Sequence, residues 1–559
     1  MGYNAPPLHV VFKAELMVEA TEISNEQRSP ICLRDLIVFD TDKKLTYKPI
    51  HHTIKRNPTM LLHPRFKPLP PVPQPLCLRI EEILLSILSN LGHDADHKAL
   101  AVTSLTCKRW NEISLEFLWK DIRLEDILSV LSPTRLKGGK LRFERPPTTH
   151  DWSRFDTLAR RVRSLRLETR LDNNILVELS LTKQPVLFPG LQALAGMYTM
   201  RPDHLLPLLS PTMRSLTFGL YGGMEREELG KALQFMNTVH LVSPQLVELH
   251  LSAIEISAET ANSITELLRS LPRLRTLGLG LESIGYILPT LTGLSDLENF
   301  IVYDVMPGCF QHFIPTITMT LHNLKSLGLF CKKSAGIPKF ILGLVPYAKL
   351  TSIQLGRGGL EGDLEIDGLF EAITEHQLLE RLIIYTCQEI SLSLSNTGML
   401  QSCISLTHLT LSFWGSVMLT DDDVERLVAS LPKLIEFTLM GRSDISRSGE
   451  TGAKPTLRAL LIITMSCPSI QHIGLHVDLS GPIPKNAYKL HPNLRSFNFG
   501  SSILSPENIH PMALFLSQMS HRPDKLEIRS GDCGWHGGWL KVWEEVLEQV
   551  RILHKAEGT

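Results

Sequence analysis

One short apolar phrase recurs along much of the chain and constrains the fold more than any other feature. It places apolar residues at its first, fourth and sixth positions, and thirteen copies, of which LQALAG is imperfect because it ends in glycine, begin 22 to 36 residues apart. Self-similarity at such a period is typical of a solenoid, whose units bury their apolar stripes against their neighbours. The copies are VRSLRL (162–167), LQALAG (191–196), MRSLTF (213–218), LVELHL (246–251), LRTLGL (274–279), LENFIV (297–302), LKSLGL (324–329), LTSIQL (350–355), LERLII (379–384), LTHLTL (406–411), LIEFTL (434–439), IQHIGL (470–475) and LRSFNF (494–499).

Each repeat unit combines two periodicities. The end of the phrase alternates apolar and variable residues, which predicts a strand. The gaps carry apolar residues at helical spacing, as in 257–274 and 420–434, where Thr420 and Asp423 form a capping-box pattern. We therefore expect parallel strands on a concave face and helices on the convex side.

The repeat pattern is similar to the leucine-rich repeat, and it extends over about 60% of the chain. This resemblance implies an α/β solenoid, the leucine-rich-repeat horseshoe, predicted here over residues 126–535. A capping helix is predicted at 536–559, where Trp539, Leu540 and Trp543 share one apolar stripe.

Composition narrows the possible partners. The chain has 559 residues with 57 basic and 58 acidic side chains, which argues against a general nucleic-acid or membrane surface. No apolar run reaches 18 residues, and the first residues lack the pattern of a secretory signal. The nine cysteines form no CxxC pair, which suits reduced thiols. We expect a protein of the cytoplasm, the nucleus or both.

Residues 1–74 lie outside the repeats and are predicted to be largely disordered. The stretch 43–67 holds seven basic residues and no acidic one, and KPLPPVPQP (67–75) follows as an extended linker. A solvated tail is the preferred interpretation of the basic stretch. A nuclear-import signal or a site for an acidic partner stays open.

Residues 75–125 predict a separate helical domain. The apolar residues Ile80, Ile83, Leu84, Ile87, Leu88 and Leu91 fall at helical spacing. A polar break at 92–96 precedes a second helix carrying Leu100, Val102, Leu105 and Trp110, and a third, short helix ends at Leu118 and Trp119. A unit this small with a broad apolar face is suited to docking on a partner.

This segment resembles the F-box. The matching residues are Glu82-Ile83, the apolar Ile87 and Leu91, the phrase TCKRW at 106–110, and Leu118-Trp119. The segment departs from the family at Arg79-Ile80, where the family has Leu-Pro. In this order, an F-box followed by leucine-rich repeats, the chain resembles fungal-type F-box and leucine-rich-repeat proteins.

The resemblance implies a substrate receptor of an SCF-type cullin-RING ubiquitin ligase, without a catalytic residue, cofactor or metal. In that family the F-box binds a Skp-type adaptor and the repeats hold a protein substrate. The residues that would face the adaptor or form the domain core are Ile83, Ile87, Leu88, Leu91, Leu105, Trp110 and Trp119. Two alternatives stay open: these residues only form a cap on the solenoid, or the chain is a scaffold or GTPase regulator without ligase assembly.

A substrate surface is predicted where the strands end on the concave face. Its centre is the set Tyr303, Phe330, Arg357, Tyr385 and Phe413, since exposed aromatic residues beside arginine are typical anchors for protein partners. The alternative is that some of them pack as local core. Glycines 278, 280, 328, 356 and 474 are expected to leave room for a side chain or a small cofactor.

Signals for catalysis are weak. The row Arg381, His408, Glu436 and His472 could hold a metal or a proton relay, but a hydrogen-bonded polar ladder is the preferred interpretation. HDADH (93–97) is interpreted as a loop. GxSxG, HExxH and phosphate-loop motifs are absent from the sequence. The polar insertion 443–455 explains the 36-residue spacing and is expected to be a mobile loop.

Overall fold

A computed structural model describes most of the chain from residue 81 onward. The described residues are 81–93, 97–168, 170–172, 175, 178–179, 186–196, 202–220, 226–253, 258–281, 287–305, 321–331, 336–346, 348–356, 366–389, 397–414, 418–442, 454–484, 492–500, 502–519, 526–530 and 537–557. The predictions for residues 1–74 and for most of the break at 92–96 and of the insertion at 443–455 lie outside them. The prediction of a break at Gly92 and His93 is wrong, because the first helix continues to His93.

The chain divides into two compact units, Met1–Ile87 and Leu88–Thr559, and the division falls inside the first described helix. That helix is α1 (Glu81–His93), which α2 (His97–Ser104) and α3 (Lys108–Leu118) follow in sequence. Trp110 lies in α3, whereas the sequence pattern placed it in the second helix.

Side-chain hydrogen bonds satisfy backbone carbonyls at the end of α2. Thr103 Oγ1 donates to the carbonyls of Ala99 and Leu100, and Ser104 Oγ donates to that of Ala101. Asn111 Nδ2 then donates to the Ser104 carbonyl at 2.9 Å. These local bonds satisfy the carbonyls at the helix end and fix the turn that leads into α3.

All thirteen predicted phrases form strands of one parallel sheet, and two further strands extend it. Neighbouring strands of the sheet follow one another in chain order, as expected of a solenoid. Its strands are β1 (Asp121–Arg123), β4 (Ser164–Leu167), β6 (Ala193–Gly196), β7 (Ser215–Leu220), β8 (Glu248–Ala253), β9 (Thr276–Leu281), β10 (Asn299–Val305), β11 (Ser326–Cys331), β12 (Ser352–Leu355), β13 (Arg381–Glu389), β14 (His408–Trp414), β15 (Glu436–Arg442), β16 (His472–Leu475), β17 (Ser496–Gly500) and β18 (Glu527–Ser530).

The strands align so that equivalent phrase positions are neighbours. The fourth position of the phrase forms one continuous buried row along the sheet, for example Leu277, Phe300 and Leu327. Because side chains alternate along a strand, the residues on either side of this row face away from the core. The register therefore builds one apolar face and one exposed sheet face.

Helices pack against the apolar face and complete a single core. After α3 they are α4 (Leu124–Leu131), α5 (Thr149–Ala159), α6 (Arg226–Val242), α7 (Ala258–Arg269), α8 (Ile337–Leu344), α9 (Ile366–Thr374), α10 (Asp421–Ala429), α11 (Leu457–Ser466), α12 (Ile509–Met519) and α13 (Gly537–Glu557). Short 3₁₀ helices at Pro202–Leu208, Leu288–Gly293, Gly398–Ser402 and Pro506–Asn508 complete these elements. The capping box of Thr420 and Asp423 at the start of α10 is confirmed.

The strands β1 and β18 were missed for different reasons. β1 belongs to WKDIRL (119–124), a complete copy of the phrase hidden in the segment that resembles the F-box. The register of β18 with β17 pairs Ile528 with Phe497. In the sequence, the corresponding phrase has the polar residues Lys525 and Ser530 at its first and sixth positions. The terminal strand therefore retains only part of the apolar pattern.

The last helix closes the end of the solenoid. In α13, Trp543, Val546 and Val550 are buried in the core, and the Trp543 ring stacks on Phe499 at a centroid distance of 4.3 Å. The side chains of Trp539 and Leu540 lie outside the described set. The C-terminal helix therefore covers the apolar end that a repeat without a successor exposes.

A second, three-stranded sheet is formed by residues that flank the first predicted phrase, VRSLRL (162–167), in sequence. It consists of β2 (Thr134–Lys137), β3 (Lys140–Phe143) and β5 (Arg170–Leu171), with β2 at one edge. Leu141 and Phe143 of β3 are buried in the main core, which fixes this sheet on the solenoid.

None of the described helices is both long enough and apolar enough to cross a bilayer. The predicted domain divisions at 74/75, 125/126 and 535/536 stay predictions. The large sheet begins at Asp121, a few residues before the second of these divisions.

Candidate protein-interaction surfaces

Helix α1 leaves large apolar side chains in water. Ile83, Leu85 and Ile87 are 36%, 40% and 38% exposed, whereas Leu84 and Leu88 are fully buried. Ile83 and Ile87 are four residues apart and so share one side of the helix. Among the predicted adaptor-facing residues of α1, Leu88 is therefore a core residue, and the side chain of Leu91 lies outside the described set.

A second exposed apolar pair lies at the end of α2. Val102 is 59% exposed and Leu105 is 60% exposed. Trp110 in α3 is half-buried, and Thr103 Oγ1 lies 3.3 Å from Ser114 Oγ between the two helices. This contact holds α2 against α3, so that Val102 and Leu105 stand on an ordered turn.

Trp119, which the sequence predicts to face the adaptor or to form core, packs on the solenoid. It occupies the first position of the WKDIRL phrase and packs, half-buried, against the solenoid core. Packing into the first repeat accounts for this side chain, which joins α3 to β1 without needing an adaptor.

Two of the predicted substrate residues form an aromatic stack on the exposed sheet face. Tyr303 and Phe330 are register partners on β10 and β11, with ring centroids 5.3 Å apart and ring planes 19° from parallel. Tyr385 on β13 is 41% exposed, and burial of its other parts together with the nearby Glu436 raises its pKa. We call Tyr303, Phe330 and Tyr385 the aromatic strip.

Phe413 does not belong to this surface. It is 3% exposed and lies in the core, because it follows Ser412 on β14 and side chains alternate along a strand. The expectation that Phe413 presents an exposed anchor is therefore wrong. Arg357 lies outside the described residues.

The glycines of the sheet face leave no vacant space. A Cβ on Gly356 would lie 3.2 Å from the Tyr385 Cβ and 3.5 Å from the Phe330 ring, and a Cβ on Gly328 would contact Ile301 and Phe330. The His250 ring covers Gly278 in the same way. Neighbouring side chains thus fill the room that was expected for a ligand, and the aromatic strip is a filled, shallow surface.

A polar row runs beside the buried row. Arg381, His408, Glu436 and His472 are consecutive register partners, which confirms their predicted alignment. Glu436 accepts a hydrogen bond from Thr410 Oγ1 at 3.0 Å, and His472 Nδ1 lies 2.7 Å from Ser496 Oγ. These bonds join members of the row to hydroxyl groups beside it, so the preferred interpretation of the row itself as a hydrogen-bonded ladder stays a prediction.

Burial favours the uncharged form of one histidine of the row and of two thiols in the core. Burial, reinforced by Arg381, lowers the pKa of His408. Burial also raises the pKa of the Cys403 thiol to about 11 and that of Cys467 to about 12, which keeps both protonated. Within the described ranges, no cluster of three or more His, Cys, Asp or Glu side chains could hold a metal ion.

Comparison with protein-family models matches residues 81–125 to the F-box-like model. The chain carries an F-box-like domain followed by leucine-rich repeats. No curated protein matches the sequence. Among solved structures, the chain is similar to the yeast Rad7 and Elc1 complex, with a TM-score of 0.36 and 16% identity over 60% of this chain and 82% of the other. It is also similar to a leucine-rich-repeat protein of Leptospira interrogans, with a TM-score of 0.32 and 15% identity over 67% and 91% of the two chains.

The F-box-like domain and the repeats share residues at their junction. The matched range contains β1 and ends within the first turn of α4, so the first strand of the large sheet lies inside the F-box-like domain. β1 is paired with β4 through Ile122 and Leu165. Both parts are protein-interaction modules, and their combination makes the chain an adaptor for protein interaction.

Proposed function

We propose that this protein is the substrate-recognition subunit of an SCF-type cullin-RING ubiquitin ligase. Its F-box-like domain binds the Skp-type adaptor, and its exposed sheet face holds a protein substrate. The observation that carries the proposal is the exposed apolar side of α1, where Ile83 and Ile87 are four residues apart and Leu85 is also exposed. Exposed apolar side chains of this kind are typical of a helix that a partner covers. Val102 and Leu105, at the end of α2, are a separate exposed apolar pair in the same domain.

In this role the protein makes and breaks no covalent bond. It holds a substrate in the same assembly as the charged ubiquitin carrier and so raises the effective concentration of substrate lysines. This work needs no cofactor and takes place in the cytoplasm, the nucleus or both.

The aromatic strip is the proposed centre of the substrate surface. Large aromatic side chains supply contact area with little loss of conformational entropy, and the stack of Tyr303 on Phe330 holds these two rings in place before binding. A shallow, filled surface of this kind suits a protein partner better than a small enclosed ligand.

The first experiment measures binding of the full-length chain to the purified Skp-type adaptor. An Ile83→Asp/Ile87→Asp variant is expected to weaken binding by at least about 30-fold, because charges replace two apolar contacts. A Leu241→Asp/Leu342→Asp variant is the matched control, since both leucines are exposed on solenoid helices at 72% and 49%.

The outcomes separate the two candidate functions. Loss of binding in the α1 variant alone supports the ligase receptor. Failure of the wild-type chain to bind the adaptor contradicts it and leaves a repeat scaffold without ligase assembly. Equal losses in both variants would contradict the assignment of the adaptor site to α1.

A further inference from the structure

The hairpin of β2 and β3 has a charge pattern that neither the adaptor site nor the sheet face requires. Its tip is Lys137-Gly138-Gly139-Lys140, and both glycines have a positive φ, 60° and 73°. A two-residue turn with positive φ at both central positions matches the twist of a hairpin and favours glycine. The turn therefore holds Lys137 and Lys140 directly opposite each other at the tip.

The register places like charges across the hairpin. Arg135 pairs with Arg142, and Lys137 pairs with Lys140. Directly opposed residues lie on one face of a sheet, and positions two apart on a strand share that face. These four cations therefore form one face, which we call the basic hairpin face. The register also aligns Arg170 of β5 with Lys140.

Few acids offset this charge. Arg142 Nη2 lies 2.9 Å from Asp172 Oδ2. Arg135, Lys137 and Lys140 are exposed and form no ion pair in the part of the chain that the structure describes. Like charges directly opposite each other destabilise a hairpin, and binding of an anion relieves that repulsion.

The opposite face fixes the direction in which these cations point. Leu141 and Phe143 of β3 are buried in the solenoid core. Because side chains alternate along the strand, Lys140 and Arg142 point away from that core. β2 lies at the edge of its sheet, and no described strand pairs with its outer backbone groups.

We propose that the basic hairpin face binds an acidic, extended segment of a partner protein. Guanidinium and ammonium groups pair with carboxylates, and the open edge of β2 can align an extended chain beside them. Charge complementarity on this face favours an acidic protein segment over nucleic acid. Nucleic-acid surfaces are broad and strongly basic, whereas this chain has a net charge of −1 and a pI near 7.1.

The test uses the full-length protein and a labelled poly-glutamate peptide, with a poly-glutamine peptide as the uncharged probe. Poly-glutamate is expected to bind, and added salt should weaken it. An Arg135→Glu/Lys137→Glu/Lys140→Glu variant is expected to bind it at least about tenfold more weakly, because three attractions become repulsions. The matched control is Lys339→Glu/Lys349→Glu/Lys433→Glu, which changes net charge equally at exposed lysines of the solenoid.

A single variant separates binding from a purely structural role. Lys137→Glu turns a like-charge pair into an opposite-charge pair, so its melting temperature should equal or exceed that of the wild type while peptide binding falls. The alternative is that these lysines only protect an exposed strand edge from aggregation. In that case the wild-type protein would not bind poly-glutamate.

Four results would overturn the proposal. They are no binding of poly-glutamate, equal losses in the hairpin and control variants, equal binding of the poly-glutamine peptide, and tighter binding to duplex DNA or phosphatidylserine vesicles than to poly-glutamate. Since the adaptor experiment uses different residues, either proposal can fail while the other stands.

Discussion

The helical segment α1–α3 and the repeat solenoid use leucine and isoleucine in opposite ways. In the strands of the solenoid the fourth position of the phrase is buried, as at Leu277, Leu382 and Leu409, each 0% exposed. In the helical segment Ile87 and Leu105 remain 38% and 60% exposed. The solenoid buries its apolar residues to hold its own repeats together, whereas the helical segment leaves a share of them exposed to solvent, as the proposed adaptor site requires.

The largest expected effect tests the solenoid side of this comparison. Leu409→Ala should lower the free energy of unfolding by about 3 kcal/mol, because it leaves a cavity between three strands and their helices. Chemical denaturation of the full-length chain measures the effect. The neighbouring Ser412→Ala is the control and should change stability little. A loss below about 1 kcal/mol for Leu409→Ala would contradict the tight packing of this row.

The next effect contrasts two capping boxes within the solenoid. Asp151 accepts hydrogen bonds from the Thr148 backbone N–H at 2.8 Å and from Arg145 Nη1 at 2.7 Å. Asp423 in α10 has a weaker ion pair, since Arg426 Nη2 lies 3.9 Å from its Oδ1. Asp151→Ala should therefore cost about 2 kcal/mol and Asp423→Ala about 1 kcal/mol. Equal losses in denaturation would show that the ion pair adds nothing to the cap.

Lowering the pH should remove the stabilisation that the same helix cap provides. The Arg145 guanidinium holds the pKa of Asp151 well below its usual value. The unfolded chain then takes up the proton first, so the stabilisation is complete above about pH 4 and is lost as the pH falls below it. Denaturation between pH 5 and 3 should show a shallower decline in Asp151→Asn than in the wild type, and parallel curves would refute this linkage.

A smaller effect concerns a buried histidine between repeats. His376 is 4% exposed, its Nε2 lies 3.1 Å from the Ile341 carbonyl, and burial lowers its pKa. The contribution of neutral His376 to the free energy of unfolding is complete above about pH 6.5. It declines as the pH falls below that value, because the unfolded chain takes up the proton first. His376→Gln should remove part of this decline, worth less than about 1 kcal/mol. The control His150→Gln, at an exposed histidine of α5, should leave the decline of stability with falling pH unchanged.

The smallest effect tests the helical side of the comparison. Val102→Ala/Leu105→Ala should change the free energy of unfolding by less than about 0.5 kcal/mol, because both side chains are already in water. The same variant should weaken adaptor binding in the assay of the Ile83→Asp/Ile87→Asp variant. A large loss of stability with unchanged binding would reverse the proposed division of roles.

Prediction from sequence succeeded where periodicity was complete. All thirteen phrases became strands, and the register of Arg381 with His408 and Glu436 followed from their shared phrase position. Prediction missed β1, because its phrase begins at Trp119 inside the segment that resembles the F-box. It also missed β18, because a polar residue replaces an apolar one in that phrase. The assignment of Phe413 to the surface overlooked the alternation beyond the sixth position of the phrase.

The sequence by itself determined the solenoid, the parallel strands and the helical segment before them, because each depends on spacing along the chain. Only the tertiary structure decided which aromatic rings meet, that neighbouring side chains cover the glycines, and that four cations share one hairpin face. Those features depend on which residues lie opposite each other across strands. That pairing is set by the packing of each repeat on the next and by the register of the hairpin turn.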